Sequence, residues 1–410
     1  MKIIHTADWH IGRLLYGRKR HAEHGAFLEW LLKTIREQQI DALIVAGDVF
    51  DTPSPGNRSQ ELYYQFLSAL GDTGCRELVI VGGNHDSPSF LDAPASVLRF
   101  LNVHVIGQAR KNLEDEVIVL HARSGEPAAI VCAVPFLRDR DVRESEAGED
   151  WDDKESALLR GIAAHYQEVV SMAMRQCPGG AQPLPLLATG HLYAAGGSLK
   201  EGDGVRDLYI GSLGRVPLDC FPPELDYVAL GHLHVAQRVG PTDRVRYSGS
   251  PIPLGFGEAG QQKSVCVLEL QGKSVELSRI NVPVFQKLRT VGGSWDTIRG
   301  ELLALVREGE SVWAEVVLEG DDGPPDLAKC VHELVADSSV EVLRIKHERQ
   351  NADPWEIPDD FVNLDDIRPE DVFSRFLDAN NCEGERRERL TRTFLEMLSS
   401  MAGQDPEATN

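Results

Sequence analysis

Over the first 280 residues, short runs of aliphatic and β-branched residues alternate with stretches whose apolar positions recur every three to four residues. The runs at 2–7, 42–46, 78–81, 130–134, 186–189 and 227–230 are almost unbroken, which predicts strands covered on both faces. Between them, residues 22–37 place Phe27, Leu28, Leu31, Leu32 and Ile35 on one helical face, and 58–70 do the same with Tyr63, Phe66, Leu67 and Leu70. This alternation predicts a layered α/β core. Later strands at 235–239, 245–247, 264–270 and 274–278 are joined by short turns, so the domain is expected to close with antiparallel pairs as a sandwich of two sheets flanked by helices. Domain one is thus 1–280.

Beyond residue 280 the pattern starts afresh. A strand near 285–290, a helix at 295–307, a strand at 312–318, a helix at 326–336 and a strand at 340–347 predict a small α+β domain over 283–350. A Pro- and Asp-rich linker, 351–368, leads to a pair of short helices at about 369–378 and 385–400. Val372, Phe373, Phe376 and Leu377 make one stripe there, and Leu390, Phe394, Met397 and Leu398 another. Helices this short are marginal in water and need a surface to pack on, which a protein partner is expected to supply in preference to their own domain, the alternative reading. The acid-rich stretch 139–154 reads as an exposed loop before a helix at about 155–175.

Composition excludes several classes. The 42% apolar and 26% charged residues are ordinary for a globular chain, and no apolar run has the length of a membrane span. Polar residues interrupt the N-terminus too early for a secretory signal, so a cytoplasmic protein is expected. The seven cysteines are scattered without a C-x-x-C pair, so neither disulfides nor a zinc–thiolate site is predicted. The net charge of -22 speaks against nucleic acid until it is divided along the chain. Residues 1–300 hold 31 Lys and Arg against 37 Asp and Glu, whereas 301–410 hold 11 against 27. The acidity sits in the tail, and bound divalent metals would reverse the local charge in the first part.

The candidate chemistry lies where strands end. Asp8 and His10 follow the first strand at i and i+2, a spacing that puts both side chains on one side of an extended backbone. Gly47-Asp48 follows the second, where glycine permits close approach and one carboxylate can lie between two ions. Gly83-Asn84-His85-Asp86 follows the third, offering a neutral oxygen ligand and an imidazole with an adjacent carboxylate to orient it. Gly190-His191 and Gly231-His232-Leu233-His234 follow two more. Imidazole, carboxylate and amide without thiolate suit manganese, iron or zinc better than magnesium alone. Arg13, Tyr16, Arg18, Lys19 and Arg20, in a loop-like stretch, mix cations with an aromatic as surfaces that track a nucleic-acid backbone do, and read equally as a solvated loop. No phosphate-binding P-loop is present.

Together these motifs resemble the calcineurin-like metallophosphoesterase superfamily. Protein phosphatases of that superfamily follow the Gly-Asp pair with an acidic residue and an Arg-Gly pair, which Gly47-Asp48-Val49-Phe50-Asp51-Thr52-Pro53 does not. The runs from Ile4 to Gly12, Gly47 to Asp51, Gly82 to Asp86, Gly231 to His234 and Tyr247 to Pro251 are instead similar to the SbcD family of bacterial repair nucleases, as is the tail run from Ile367 to Phe373. The resemblance implies a binuclear centre in which Asp8, His10, Asp48 and His234 hold one ion and Asp48, Asn84, His191 and His232 the other. His85 is left to act on the substrate, with Asp86 holding its orientation.

It further implies two manganese ions, replaceable by magnesium, iron or zinc, and 3′-to-5′ exonuclease action on double-stranded DNA with endonuclease action on hairpin DNA. DNA repair, recombination and replication are the processes it points to. The 283–350 domain would cap the DNA, residues 369–400 would bind the coiled coil of an SbcC-like ATPase, and helices 22–37 and 58–70 would make a homodimer. Two other readings compete: a phosphodiesterase acting on a small molecule or nucleotide, and a catalytically silent DNA-end scaffold.

Overall fold

A computed structural model describes residues 1–143, 151–176, 183–197, 216–320, 323–348 and scattered positions between 373 and 395. These fall into two compact units divided between Phe285 and Gln286. In the first, parallel strands β1 (Lys2–Thr6), β2 (Ala42–Ala46), β3 (Glu77–Val81) and β4 (Val103–Ile106) lie in that order. The second sheet holds β5 (Val117–His121), β6 (Pro127–Cys132), β7 (Leu186–His191), β8 (Tyr227–Gly231), β9 (Gln237–Val239) and β10 (Val245–Tyr247), in the order β9-β10-β8-β7-β6-β5. The last hairpin, β11 (Ser264–Gln271) and β12 (Ser274–Asn281), returns to the first sheet and pairs antiparallel with β1. The four turn-linked strands are thus shared between the sheets, one antiparallel pair closing each.

In the first sheet β1, β2 and β3 are dry on both faces, which accounts for their unbroken apolar runs. Ile4, Leu43, Val45, Leu78 and Ile80 face helices α1 (His21–Glu37) and α2 (Asn57–Leu70), while Ile3, Ala42, Ile44, Val79 and Val81 meet Leu120, Val131, Leu187 and Ala229 of the second sheet. The outer face of the second sheet lies under α3 (Trp151–Gln176), whose Leu158, Ile162, Tyr166, Val169 and Ala173 are buried. A two-sheet sandwich between helical layers results. The predicted helical faces pack into the core: Phe27, Leu28, Leu31, Ile35, Tyr63, Phe66, Leu67 and Leu70 are buried, and Leu32 is partly buried against them. These core residues are therefore not available to the homodimer that the resemblance implies through the two helices. Exposed large apolar side chains include Tyr64 on α2 itself and Val97, Phe100 and Leu101 outside the two helices.

Two strands, β4 and β5, escape the sequence pattern, the first interrupted and the second ended by histidine. The acid-rich stretch is in part helical: Asp139–Val142 forms a turn of helix and α3 begins at Trp151, earlier than expected, with 144–150 outside the described residues. The second unit carries β13 (Lys287–Gly293), α4 (Trp295–Glu308), β14 (Val312–Glu319), α5 (Leu327–Val335) and β15 (Val340–Glu348), its three strands parallel. The linker 351–368 and Val372, Phe376, Met397 and Leu398 lie outside the described residues. Phe373 and Phe394 stack with ring centroids 4.0 Å apart, so the two tail stripes face each other at that point.

Two buried histidines make the fold acid-sensitive. His5 pins the sheets together, accepting from the Tyr227 hydroxyl at 2.9 Å and donating to the Leu230 carbonyl at 3.2 Å. His24 donates to the Arg20 carbonyl at 2.9 Å from within α1. Burial lowers the pKa of each to about 3. The unfolded chain binds these protons near pH 6.5 and the folded chain does not, so stability is retained above that pH and lost on descending from it toward 3. Denaturant unfolding of the metal-free protein between pH 6 and 4 should show a pH slope that His24→Leu reduces by about 1.4 kcal/mol per pH unit. An unchanged slope would show that His24 is protonated in the folded state.

Candidate metal centre

The carboxyl ends of β1, β2, β3, β7 and β8 deliver the predicted residues to one place, as open parallel sheets do. The turns there are tight enough to force Asp8 (φ 54°), His10 (φ 44°), Asp48 (φ 50°) and His232 (φ 103°) into the left-handed region. Four of the eight described non-glycine residues with positive φ are thus site residues, and strain of this kind persists where surrounding structure over-determines it. Gly83 has the opposite need. A β-carbon there would run into the carboxylate of Asp48, so only glycine allows the β3 loop to cross it.

Asp48 is the centre of the arrangement. Its Oδ2 lies 3.2 Å from His191 Nε2 and 3.5 Å from His10 Nε2, and its Oδ1 accepts the His85 backbone N–H at 2.9 Å. His191 Nε2 is also 3.0 Å from Asn84 Oδ1, while its Nδ1 donates to the Ala46 carbonyl at 3.0 Å, so the nitrogen facing the site is fixed. Asp8 Oδ1 accepts the His232 backbone N–H at 2.9 Å, and the His191 and His232 rings are 5.5 Å apart. Asp8, His10 and His234 each present a ligand atom within 4.8 Å of the others, as do Asp8, Asp48 and His191. All seven predicted ligands and His85 therefore converge.

Burial makes this convergence costly without cations. Asp8, His10, Asp48, His191, His232 and His234 are each at most 4% exposed. Burial raises Asp8 to about 6 against the pull of His191 and His234. Burial also opposes the charge on Asp48, but His191 and His10 hold it well below the usual carboxylate range, and Asp48 in return raises His191 to about 9. Among the described residues Asp8 Oδ2 and His10 Nε2 have no hydrogen-bond partner, an expensive state for buried polar atoms that metal ligation would satisfy. The donor set fits a divalent pair.

His85 differs from the rest. Its Nδ1 donates to the Asp51 carbonyl at 2.9 Å, and its ring sits 4.8 Å from that of His10. Asp86, which the sequence offered as the group orienting His85, is used otherwise: its carboxylate accepts from the backbone N–H groups of Gly83, Val49 and Phe50 at 2.9, 3.1 and 2.9 Å. It ties the β2 and β3 loops together. Asp51 takes the orienting part through its carbonyl, while its carboxylate contacts His10 Nδ1 at 3.2 Å and Arg13 at 3.0 Å.

The basic stretch is also redistributed. Arg13 is committed to Asp51 and the Leu254 carbonyl, and Arg20 is buried against Glu23. Leu14–Leu15 and Arg18–Lys19 form a two-stranded ribbon, not a loop, leaving Tyr16, Arg18 and Lys19 outward. Sequence reasoning missed Glu258 and Lys263, which reach His234 from beyond the Tyr247-to-Pro251 run and belong to no motif spacing.

Likeness to known proteins gives the family. The family described as calcineurin-like phosphoesterase matches residues 1–236, and that described as type 5 capsule protein repressor C-terminal domain matches 284–381. The SbcD subunit of the nuclease SbcCD from Escherichia coli strain K12 is 39% identical over 407 residues, 98% of this chain and 99% of that one. The chain belongs to the SbcD family. The SbcD proteins of Bacillus subtilis and Rhodobacter capsulatus are 30% identical over 99% of this chain and 100% of theirs, and 42% identical over 66% and 67%. Membership in the SbcD family makes this a phosphodiester hydrolase that works with divalent metal ions.

Replacing Gly83 by alanine should displace Asp48 and cut turnover about 10²-fold or more, since misplacement by an ångström at a reacting centre has that effect. Gly56→Ala, in open surroundings at the start of α2, is the control and should retain turnover. Equal activity of the two variants would show that Asp48 does not need its observed position.

Proposed function

We propose that this SbcD-family chain is a manganese-dependent nuclease, cleaving double-stranded DNA from the 3′ side and opening hairpins, in complex with an SbcC-like coiled-coil ATPase. The observation that supports this best is the placement of Asp48 Oδ2 within 3.5 Å of both His10 and His191. In this reading Asp8, His10, Asp48 and His234 hold one ion and Asp48, Asn84, His191 and His232 the second, with Asp48 shared. The pair of ions supplies Lewis acidity toward the phosphodiester and lowers the pKa of bound water. Asp48, held as a carboxylate by its two imidazoles, keeps the two halves of the site in register.

His85 performs the remaining step. With Nδ1 engaged by the Asp51 carbonyl, Nε2 is the nitrogen available to the substrate, and when protonated it donates to the leaving sugar oxygen. Outward Tyr16, Arg18 and Lys19 would follow the DNA backbone, and 283–350 would act as a cap on the DNA. Residues 369–400 are the ATPase-binding segment in this reading, in which Phe373 stacks on Phe394. A homodimer through α1 and α2 would draw on outward residues such as Tyr64, with Val97, Phe100 and Leu101 adding exposed apolar surface.

End-labelled duplex and hairpin DNA, digested with and without manganese and the ATPase, test the proposal directly. His85→Ala should lose about 10²-fold in cleavage while retaining both ions. Metal loss accompanying the lost activity would make His85 a ligand. Turnover of a small phosphodiester with no cleavage of either DNA would overturn the choice of substrate.

A further inference from the structure

Behind the proposed ligand His234 lies a charged cluster that none of the motifs includes. Glu258, on the short turn Phe256–Glu258, is fully buried, and its Oε1 lies 3.3 Å from His234 Nδ1. Its Oε2 accepts from the Leu254 backbone N–H at 3.1 Å and the Ser250 hydroxyl at 3.2 Å, and it pairs with the Lys263 ammonium. Lys263 is itself 6% exposed and donates to the His234 carbonyl and to Ser250 Oγ, each at 3.0 Å. The Ser250 backbone N–H returns to the same His234 carbonyl at 3.0 Å. Both the ring and the backbone of His234 are therefore held by one network.

A buried ion pair is weak evidence for stability, because desolvating two charges consumes much of their attraction. Orientation is what such a pair supplies when it touches a metal-ligating imidazole: a carboxylate that accepts from Nδ1–H fixes the tautomer and turns Nε2 outward. We infer that Glu258, anchored by Lys263, is the positioning residue that holds His234 in the Nδ1–H tautomer with Nε2 presented to the metal. The inference rests on His234 being a ligand. Glu258 touches neither substrate nor metal in this account.

The test separates the two. Glu258→Leu combined with Lys263→Met removes both buried charges together, avoiding a lone buried ion, and His234→Ala serves as reference. Manganese affinity of each metal-stripped protein is measured by calorimetry, alongside the absorption spectrum of the cobalt-loaded form. The double variant should bind at least one manganese about 10- to 100-fold more weakly and change the cobalt spectrum, as loss of a ligand's orienting partner does. Wild-type affinity and spectrum in the double variant, with His234→Ala weakened, would overturn the positioning role alone; unchanged binding in both would overturn the ligand assignment. Long-range ¹H–¹⁵N spectra of metal-free wild-type protein, ring-labelled at histidine and assigned with His234→Gln, need no folded double variant. An Nδ1–H tautomer is expected for His234, and Nε2–H would refute the inference.

Discussion

Two carboxylates, Asp8 and Asp48, are buried side by side among imidazoles, and that is the constraint on which the first unit is built. A lone buried anion costs several kcal/mol, and two that repel one another cost more unless positive charge is brought to them. Asp48 meets the demand with His10 and His191. Asp8 does so incompletely, its Oδ2 left without a hydrogen-bond partner among the described residues and its pKa raised. Divalent cations resolve both, so metal binding and the stability of these loops are one problem.

The sandwich makes the constraint tolerable by fixing the backbone first. β1, β2 and β3 are dry on both faces, and His5 crosses the sheet interface to hold β8 against β1. Strand ends so secured can carry left-handed turns at Asp8, His10, Asp48 and His232 that an exposed loop would relax. Asp86 stitches the β2 and β3 loops at three backbone N–H groups, and the Tyr247 hydroxyl joins Ala194 N–H to the Leu192 carbonyl next to His191. Rigidity here serves geometry: each imidazole whose Nδ1 is engaged has only its other nitrogen for a ligand.

Much of this was legible in the sequence because it is local. Apolar runs mark strands buried on both faces, and Asp8-Trp9-His10 or His232-Leu233-His234 can be read wherever a strand stops. What stayed hidden depends on distant packing. Nothing near Asp86 signals that its carboxylate turns to Val49 and Phe50 and leaves His85 to the Asp51 carbonyl. Arg13 and Arg20 read as free cations until Asp51 and Glu23 are seen beside them. Glu258 and Lys263 lie 24 and 29 residues from His234, joined to it only by the fold.

Anomalous diffraction from crystals soaked in manganese tests the central claim most directly. The account predicts two manganese peaks about 3.5 to 4 Å apart, with Asp48 contacting both, Asp8, His10 and His234 around one, and Asn84, His191 and His232 around the other. A single peak, or a pair that Asp48 does not bridge, would contradict it.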